Sequence, residues 1–295
     1  QADETLVGGL GDDTITSNGG TDILTGGGGN NTFYVNGGSA TITDLSTGDV
    51  LVVTNGATVT ADDVSEFIAT SATRNESSTA TLNAASDGST IDMRLATVAT
   101  LATDGYEING SELADNLFGS SANDTLNGGG GNDALSGGAG SDSLDGGDGV
   151  DIVDYRLSPD AVSVSLSDGT GLGADAQGDQ LSNIEGIVGS AFNDTLTGDE
   201  GGNLFIGLSG ADTIDGRGGL DTISYASALR ADGSPLTTTD TGISLTLNGN
   251  TPATVTAGDT NVGADSVVNV EDVTGTDARD TLTGDDNANT FVGGA

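Results

Sequence analysis

Apolar residues recur along much of this chain at every ninth position. Between 110 and 154, Leu117, Leu126, Leu135, Leu144 and Val153 stand nine apart, the middle three flanked on both sides by small or polar residues. Such a triplet predicts a short strand whose middle side chain points inward. Ile15, Leu24, Phe33 and Ile42 repeat the spacing in the first 43 residues. Residues 128–154 read GGGGNDALS, GGAGSDSLD and GGDGVDIVD, three successive copies of G-G-x-G-x-D-x-U-x with U apolar, and GGLGDDTIT at 8–16 is another. The repeat divides the chain into 1–43, 110–154, 189–224 and an incomplete 275–295, with non-repeat segments at 44–109, 155–188 and 225–274.

The non-repeat segments carry their own patterns. In 44–109, DVLVVTNGATVT predicts a hairpin or strand pair, and TATLNAA and TIDMRLA resume strand-like alternation. Between them, Thr60-Ala61-Asp62-Asp63 opens a predicted short amphipathic helix with Val64, Phe67 and Ile68 on one face. The segments 155–188 and 225–274 resemble each other. Each starts from D-x-x-x-Y (Asp151 to Tyr155, Asp221 to Tyr225), passes an alternating strand and an acidic Gly-rich loop, and returns through NIEGIVGS or NVEDVTGT. The second is longer chiefly through RADGSPLTTTD, an expected exposed loop. The fold class expected is all-β, in several repeat blocks interrupted by β-rich inserts and one short helix.

Composition argues against an ordinary core. Only 34% of the 295 residues are hydrophobic and 3% aromatic, while 50 are Gly, against a usual share of roughly 7%. A chain so poor in large apolar groups sits near disorder unless something other than burial holds it. Forty-five Asp and Glu face six basic residues, for a net charge of −39. Such a chain repels nucleic acid and anionic membrane and calls for cations. Without Cys or His there is no disulfide, no zinc site of the usual kind and no His-based triad. No apolar run approaches the roughly 20 residues needed to cross a bilayer. Gln1–Leu10 has neither region of a signal peptide and the chain does not begin with Met, so a processed or excised piece is expected. With no nucleophile motif and few aromatics to line a sugar cleft, no catalytic residue and no organic cofactor site is assigned.

The sixth slot supplies the candidate chemistry. It holds Asp13 and Asp22 in the first block, Asp115, Asp124, Asp133, Asp142 and Asp151 in the second, Asp194, Asp212 and Asp221 in the third, and Asp280 in the fourth. Ca²⁺ takes six to eight hard oxygens at about 2.3–2.6 Å, from carboxylates and main-chain carbonyls, and a Gly-rich turn ending in Asp offers both. Asn31, Asn203 and Asn289 replace the Asp, each followed two residues later by Phe. There a carboxylate is lost, either through drift of the repeat or because the larger ring thickens the core where calcium is weaker. Glu185 and Glu271 occupy matching places in the inserts, as solvated carboxylates or as extra ligands.

These nonapeptides resemble the RTX (repeats-in-toxin, haemolysin-type) calcium-binding family, and the interrupted blocks resemble large bacterial surface-layer and adhesin members. The resemblance implies a parallel β-roll, a calcium-stapled solenoid in which two nonapeptides make one coil and turn n stacks on turn n+2. It implies several Ca²⁺ ions, between Asp115 and Asp133 for example, and a non-catalytic protein secreted by a type I system. It further implies a structural or adhesive role at the cell surface, in a surface layer, filament or biofilm adhesin, or alternatively the folding and secretion module of a secreted protease, lipase or alginate epimerase. The expected partners are calcium ions and further copies of the chain, not nucleic acid or membrane. Gly293-Gly294-Ala295 and Gln1–Val7 look uncapped, so a longer array or head-to-tail stacking is expected.

Overall fold

The computed structural model describes residues 2–76, 78–86, 88–98, 105–230 and 234–294, without the side chain of Val98. The terminal residues Gln1 and Ala295, and part of the RADGSPLTTTD loop, therefore lie outside the described residues. Strands dominate, most of them paired in parallel, as the repeat pattern and the expected all-β roll required. The chain divides into two compact units, residues 1–151 with 178–183, and residues 152–177 with 184–295.

In the first unit, strands eighteen residues apart lie side by side. Thr5–Leu10 pairs with Thr21–Gly28 and Thr14–Ser17 with Thr32–Asn36. Further along, Glu107–Asn109, Thr125–Gly131 and Ser143–Gly149 form one ladder, and Asn116–Phe118 with Ala134–Ser136 another. Two nonapeptides thus make one coil. Alternate eighth-slot residues enter the interior from opposite sides, and Leu24, Phe33, Leu117, Leu126, Leu135 and Leu144 are fully buried. Glycine is needed where coils touch. Gly129 has φ 100°, and a β-carbon on it would collide with the carbonyl oxygen of Ser111 in the coil below.

Residues 44–98 join the same ladders in wider coils. Val50–Thr54 lies beside Thr32–Asn36, while Thr58–Val64 lies beside Ser39–Ile42. The two strands therefore enter different parallel ladders and do not form a hairpin. Nor does the predicted helix form. Thr58–Val64 and Glu66–Ile68 are strands joined by a bend at Ser65, just after a bulge in which Asp63 has a left-handed φ of 57°. The i, i+3, i+4 spacing of Val64, Phe67 and Ile68 arises because one strand ends and the next begins around that bend. Val64 and Phe67 are fully buried, but Ile68 is 38% exposed, as the alternation of a strand demands. Glu66–Ile68 opens a third ladder, facing Thr90–Asp92. With Arg74–Asn75 and Thr97–Val98 in the second ladder, the coils here have three sides. Their interior holds Val53, Val64, Phe67, Leu82, Ile91 and Met93, all fully buried. This core needs no ion.

The second unit repeats the 18-residue stacking. Ser163–Ser165, Thr195–Thr197, Thr213–Asp215 and Ser266–Val268 form one parallel ladder. Ile152–Asp154, Gly186–Val188, Leu204–Ile206, Thr222–Ser224, Asp272–Thr274 and Thr290–Val292 form the other. The inserts are excursions within one coil. They carry the antiparallel pairs of Ser163–Ser165 with Thr170–Leu172 and of Ala253–Thr254 with Ser266–Val268. Among the described residues the helical structure is one 3-10 turn, Ala174–Ala176.

Replacing Phe67 by Ala should cost about 3–5 kcal/mol, the range for emptying a buried aromatic site, whereas Ile68→Ala should cost under about 1 kcal/mol. Denaturant unfolding in calcium measures both. Equal losses would restore the shared helical face.

Candidate metal centre

The repeat's glycines and its Asp build one cradle per turn. The first-slot Gly and the sixth-slot Asp lie five residues apart, and the turn brings them together. A β-carbon on Gly8 would lie 2.5 Å from Oδ2 of Asp13 and 2.6 Å from the carbonyl oxygen of Gly26, one coil away. The same pairing of a carboxylate oxygen with a main-chain oxygen surrounds Gly110, Gly119, Gly128, Gly146 and Gly216. Any side chain there would fill the space on which those oxygens converge.

The other carboxylate oxygen binds the coils together. The Asp115 N–H donates to Oδ1 of Asp133 at 2.8 Å, and the Asp133 N–H donates to Oδ1 of Asp151 at 2.8 Å. Alongside runs a second ladder, from the Tyr106 N–H to Asp124, from Asp124 to Asp142 and from Asp142 to Asp179. In the second unit the Val162 N–H donates to Asp194, Asp194 to Asp212 and Asp212 to Asp265, while Asn203 donates to Asp221 and Asp221 to Glu271. Asp22 accepts from the Glu4 N–H, and Asp280 from the Ile243 N–H. Asp13 joins as a donor, to Oδ1 of Asn31, and Asn31 donates to Asp49.

Four carboxylates keep an oxygen in reserve. Oδ2 of Asp13, Asp133, Asp212 and Asp221 is buried and meets no hydrogen-bond donor among the described residues. A buried anionic oxygen without a donor is costly, so each of these positions fits a cation. Asp142 and Asp151 lie in turns of the same G-G-x-G-x-D form and are equally buried. At Asp22, Asp115, Asp124, Asp194 and Asp280 Oδ2 is satisfied locally instead. Ser17 donates its hydroxyl to Asp22, and the main-chain N–H groups of Ser111, Ser120, Ser190 and Thr276 donate to the other four.

The candidate set is also wider than the eleven Asp. Asp49, Asp179 and Asp265 are fully buried ladder members that the Gly-based pattern missed. Their signal is a surviving D-x-U triplet, Asp49-Val50-Leu51, Asp179-Gln180-Leu181 and Asp265-Ser266-Val267. Glu271 joins the ladder through its side chain, whereas Glu185 meets the neighbouring coil through its main-chain carbonyl, which accepts from the Leu204 N–H. The Asn variants depart as the ring suggests: Phe33 and Phe205 are fully buried, with Cζ 3.0 Å from where a β-carbon on Gly26 or Gly198 would sit. Phe291 is 39% exposed.

No three carboxylates converge on one point among the described residues. A cation here would draw one carboxylate from a turn and take further oxygens from the main chain, a hard-oxygen set suited to Ca²⁺. Burial, ahead of repulsion from neighbouring carboxylates, pushes the pKa of Asp212 up to about 8 and of Asp221 to about 7. Asp124, raised by burial, and Asp133, raised by burial and then by Asp151 and Asp115, reach about 6.

The model of the RTX calcium-binding nonapeptide repeat matches residues 1–33, 109–144, 131–157, 188–223 and 270–295. These stretches cover about half of the chain and include all eleven sixth-slot Asp. No curated protein matches the chain. The repeat is a structural calcium-binding module, typical of secreted proteins. No helix among the described residues is long and apolar enough to cross a membrane.

The raised carboxyl pKa values set a pH dependence for metal-free protein. Groups near 4 when unfolded and at 6–8 when folded favour the fold below about pH 4 and oppose it as pH rises through 6–8. In chelator, the β-type circular dichroism signal should therefore grow as pH is lowered from 8 to 5, and saturating calcium should flatten that dependence. Metal-free β structure that strengthens from pH 5 to 8 would overturn the reading.

Proposed function

We propose, from the premise that this chain belongs to the RTX calcium-binding nonapeptide-repeat family, that it is a structural or adhesive segment of a bacterial cell-surface protein. Its roll folds when calcium reaches it outside the cell. One observation carries the calcium half of this reading: buried carboxylate oxygens without a donor, at Asp13, Asp133, Asp212 and Asp221, each facing the interior of a Gly-rich turn. Bound there, calcium supplies positive charge and a flexible oxygen-coordination shell. The chain's own residues do the rest. These four carboxylates offer Oδ2, the Oδ1 atoms of Asp133, Asp212 and Asp221 hold the coil below in register, and the small first-slot Gly keeps the cradle open.

Charge supports the link to export. At −39 with few large apolar groups, the calcium-free chain repels itself and stays unfolded in a compartment poor in calcium. Calcium binding then becomes folding free energy. The blocks 1–43, 110–154, 189–224 and 275–295 are the calcium-folding segments in this reading. The inserts at 155–188 and 225–274 close their ladders, since Asp179, Asp265 and Glu271 all come from them. Repeated inserts of this kind favour a structural array over the uninterrupted roll of an enzyme's secretion module. They leave the exposed faces of the coils for contact with further copies or with a surface.

Adding Ca²⁺ to chelator-treated protein should raise the β-type signal and shrink the hydrodynamic radius, with Mg²⁺ far weaker because it demands a tight octahedral shell. Asp133→Ala should raise the calcium midpoint several-fold and Asn203→Ala should move it less. Full β structure in excess chelator at pH 8 would refute calcium-driven folding. Light scattering with and without Ca²⁺ tests association, and a strictly monomeric calcium-loaded chain at high concentration would remove the assembly part.

A further inference from the structure

The second slot of the repeat separates ten of the eleven Asp-bearing turns into two kinds; in the turn of Asp22 the first-slot Ser17 donates to Oδ2 instead. Where Oδ2 of the sixth-slot Asp lacks a donor, the second-slot residue is left-handed: Gly9 has φ 121°, Gly129 100°, and Leu208 and Arg217 both 69°. The last two are telling, because a leucine or an arginine adopts that conformation only under local strain. Where the second slot is Ser111, Ser120, Ser190 or Thr276, the residue stays out of the left-handed region, and its main-chain N–H turns inward onto Oδ2 of the Asp four residues on. The N–H distances are 2.6 Å for the three serines and 2.8 Å for Thr276. The hydroxyl follows, to Oδ2 at 3.0 Å in Asp115 and Asp124 and to Oδ1 at 2.8 Å in Asp194 and Asp280.

We propose that the second-slot residue decides whether a turn takes calcium: left-handed second slots leave an ion site, and Ser or Thr there closes the turn around its own amide and hydroxyl so that it takes none. The inference rests on the calcium reading above and narrows it. Asp115, Asp124, Asp194 and Asp280 become structural carboxylates whose negative charge is met by paired local donors. The ion-binding turns are those of Asp13, Asp133, Asp212 and Asp221, joined by Asp142 and Asp151, whose second slots Gly138 and Gly147 are also left-handed.

The closed turns hold a consistent place. Two of them, 110–115 and 119–124, stand at the head of the second block, and 189–194 and 275–280 head the third and fourth. These three blocks thus begin with turns that reach their final hydrogen bonding without an ion, whereas the first opens on the ion-binding turn of Asp13. In the second and third blocks their N–H groups already point to the carboxylate of the next coil, since Asp115 donates to Asp133 and Asp194 to Asp212. The closed turns are templates on which the calcium-requiring coils stack.

Asp194 and Asp212 give the sharpest comparison. They are neighbours in one ladder, both buried, and each Oδ1 accepts one N–H from the coil below; they differ in Oδ2 and in the second slot. Calcium per chain, counted on the full chain by native mass spectrometry and equilibrium dialysis, should fall by at least one ion in Asp212→Asn and stay at the natural count in Asp194→Asn. Equal losses in the two variants would overturn the second-slot rule alone. A natural chain that bound no calcium would overturn the proposed function, and this inference with it. Should Asp194→Asn fail to fold, Ser190→Gly tests the same rule from the other side. It frees the second slot to turn left-handed, and should add one ion and raise the calcium midpoint severalfold. A Ser190→Gly chain binding no more calcium than the natural one would count against the rule as directly.

Discussion

Everything in this molecule is arranged around stacking carboxylates. A coil of two nonapeptides places its sixth-slot Asp directly beneath the Asp of the next coil, close enough for the N–H of one to reach Oδ1 of the other at 2.8–3.0 Å. That hydrogen bond fixes register between coils, but it brings like charges together in a buried, low-dielectric row. The glycines follow from it, since only a turn without side chains lets main-chain oxygens crowd beside the carboxylate. So does the thin core, because a narrow roll leaves room for one inward residue per strand. A cation resolves the repulsion, and local hydroxyls and amides resolve it where no cation is called for.

Where the repeat lapses, the molecule uses a different source of cohesion. The three-sided coils between 58 and 98 replace ion-lined turns with a third strand, and the larger cross-section admits Phe67, Met93, Leu82 and Ile91. Burying such side chains contributes roughly 1.5–3 kcal/mol each. That stability does not depend on calcium. In the first unit a conventional hydrophobic segment and the Asp-bearing repeat segments therefore share one parallel ladder. Solenoids permit this because each coil answers only to its neighbours.

Much of this was legible in the sequence because the repeat is a geometric statement. Nine-residue spacing of Leu117, Leu126, Leu135 and Leu144 fixes where the strands lie and which side chain turns inward, and all four are fully buried. The helix over 60–68 was misread because a strand, a bend and a second strand can imitate helical spacing, and only the partner strand Thr90–Asp92 decides between them. Asp49, Asp179 and Asp265 escaped notice for another reason. A ladder member at the end of a stack needs its carboxylate and the following inward residue, but it does not need the glycines that make room for an ion. The second slot holds Gly, Leu208 or Arg217 in the open turns and Ser or Thr in the closed ones. It acquires meaning only when φ and the hydrogen bonds are known.

The ends of the ladders complete the logic. A row of carboxylates must stop, and the last member has no further coil to satisfy it. At the end of the row through Asp194 and Asp212, the Tyr225 hydroxyl donates to Oδ2 of Asp265 at 3.1 Å. At the end of the row through Asp13 and Asn31, the Ser46 N–H and hydroxyl both donate to Oδ2 of Asp49. Tyr225 is the tyrosine of a D-x-x-x-Y motif, so the insert that begins there carries out a specific task. It leaves the roll after Asp221, supplies a phenol to the coming end of the ladder, and returns with the carboxylate that the phenol caps. In the row of Asp194, Asp212 and Asp265, insert and repeat are thus parts of one electrostatic device: hydroxyls of Ser190 and Tyr225 meet its two ends, and the bare oxygen of Asp212 waits between them.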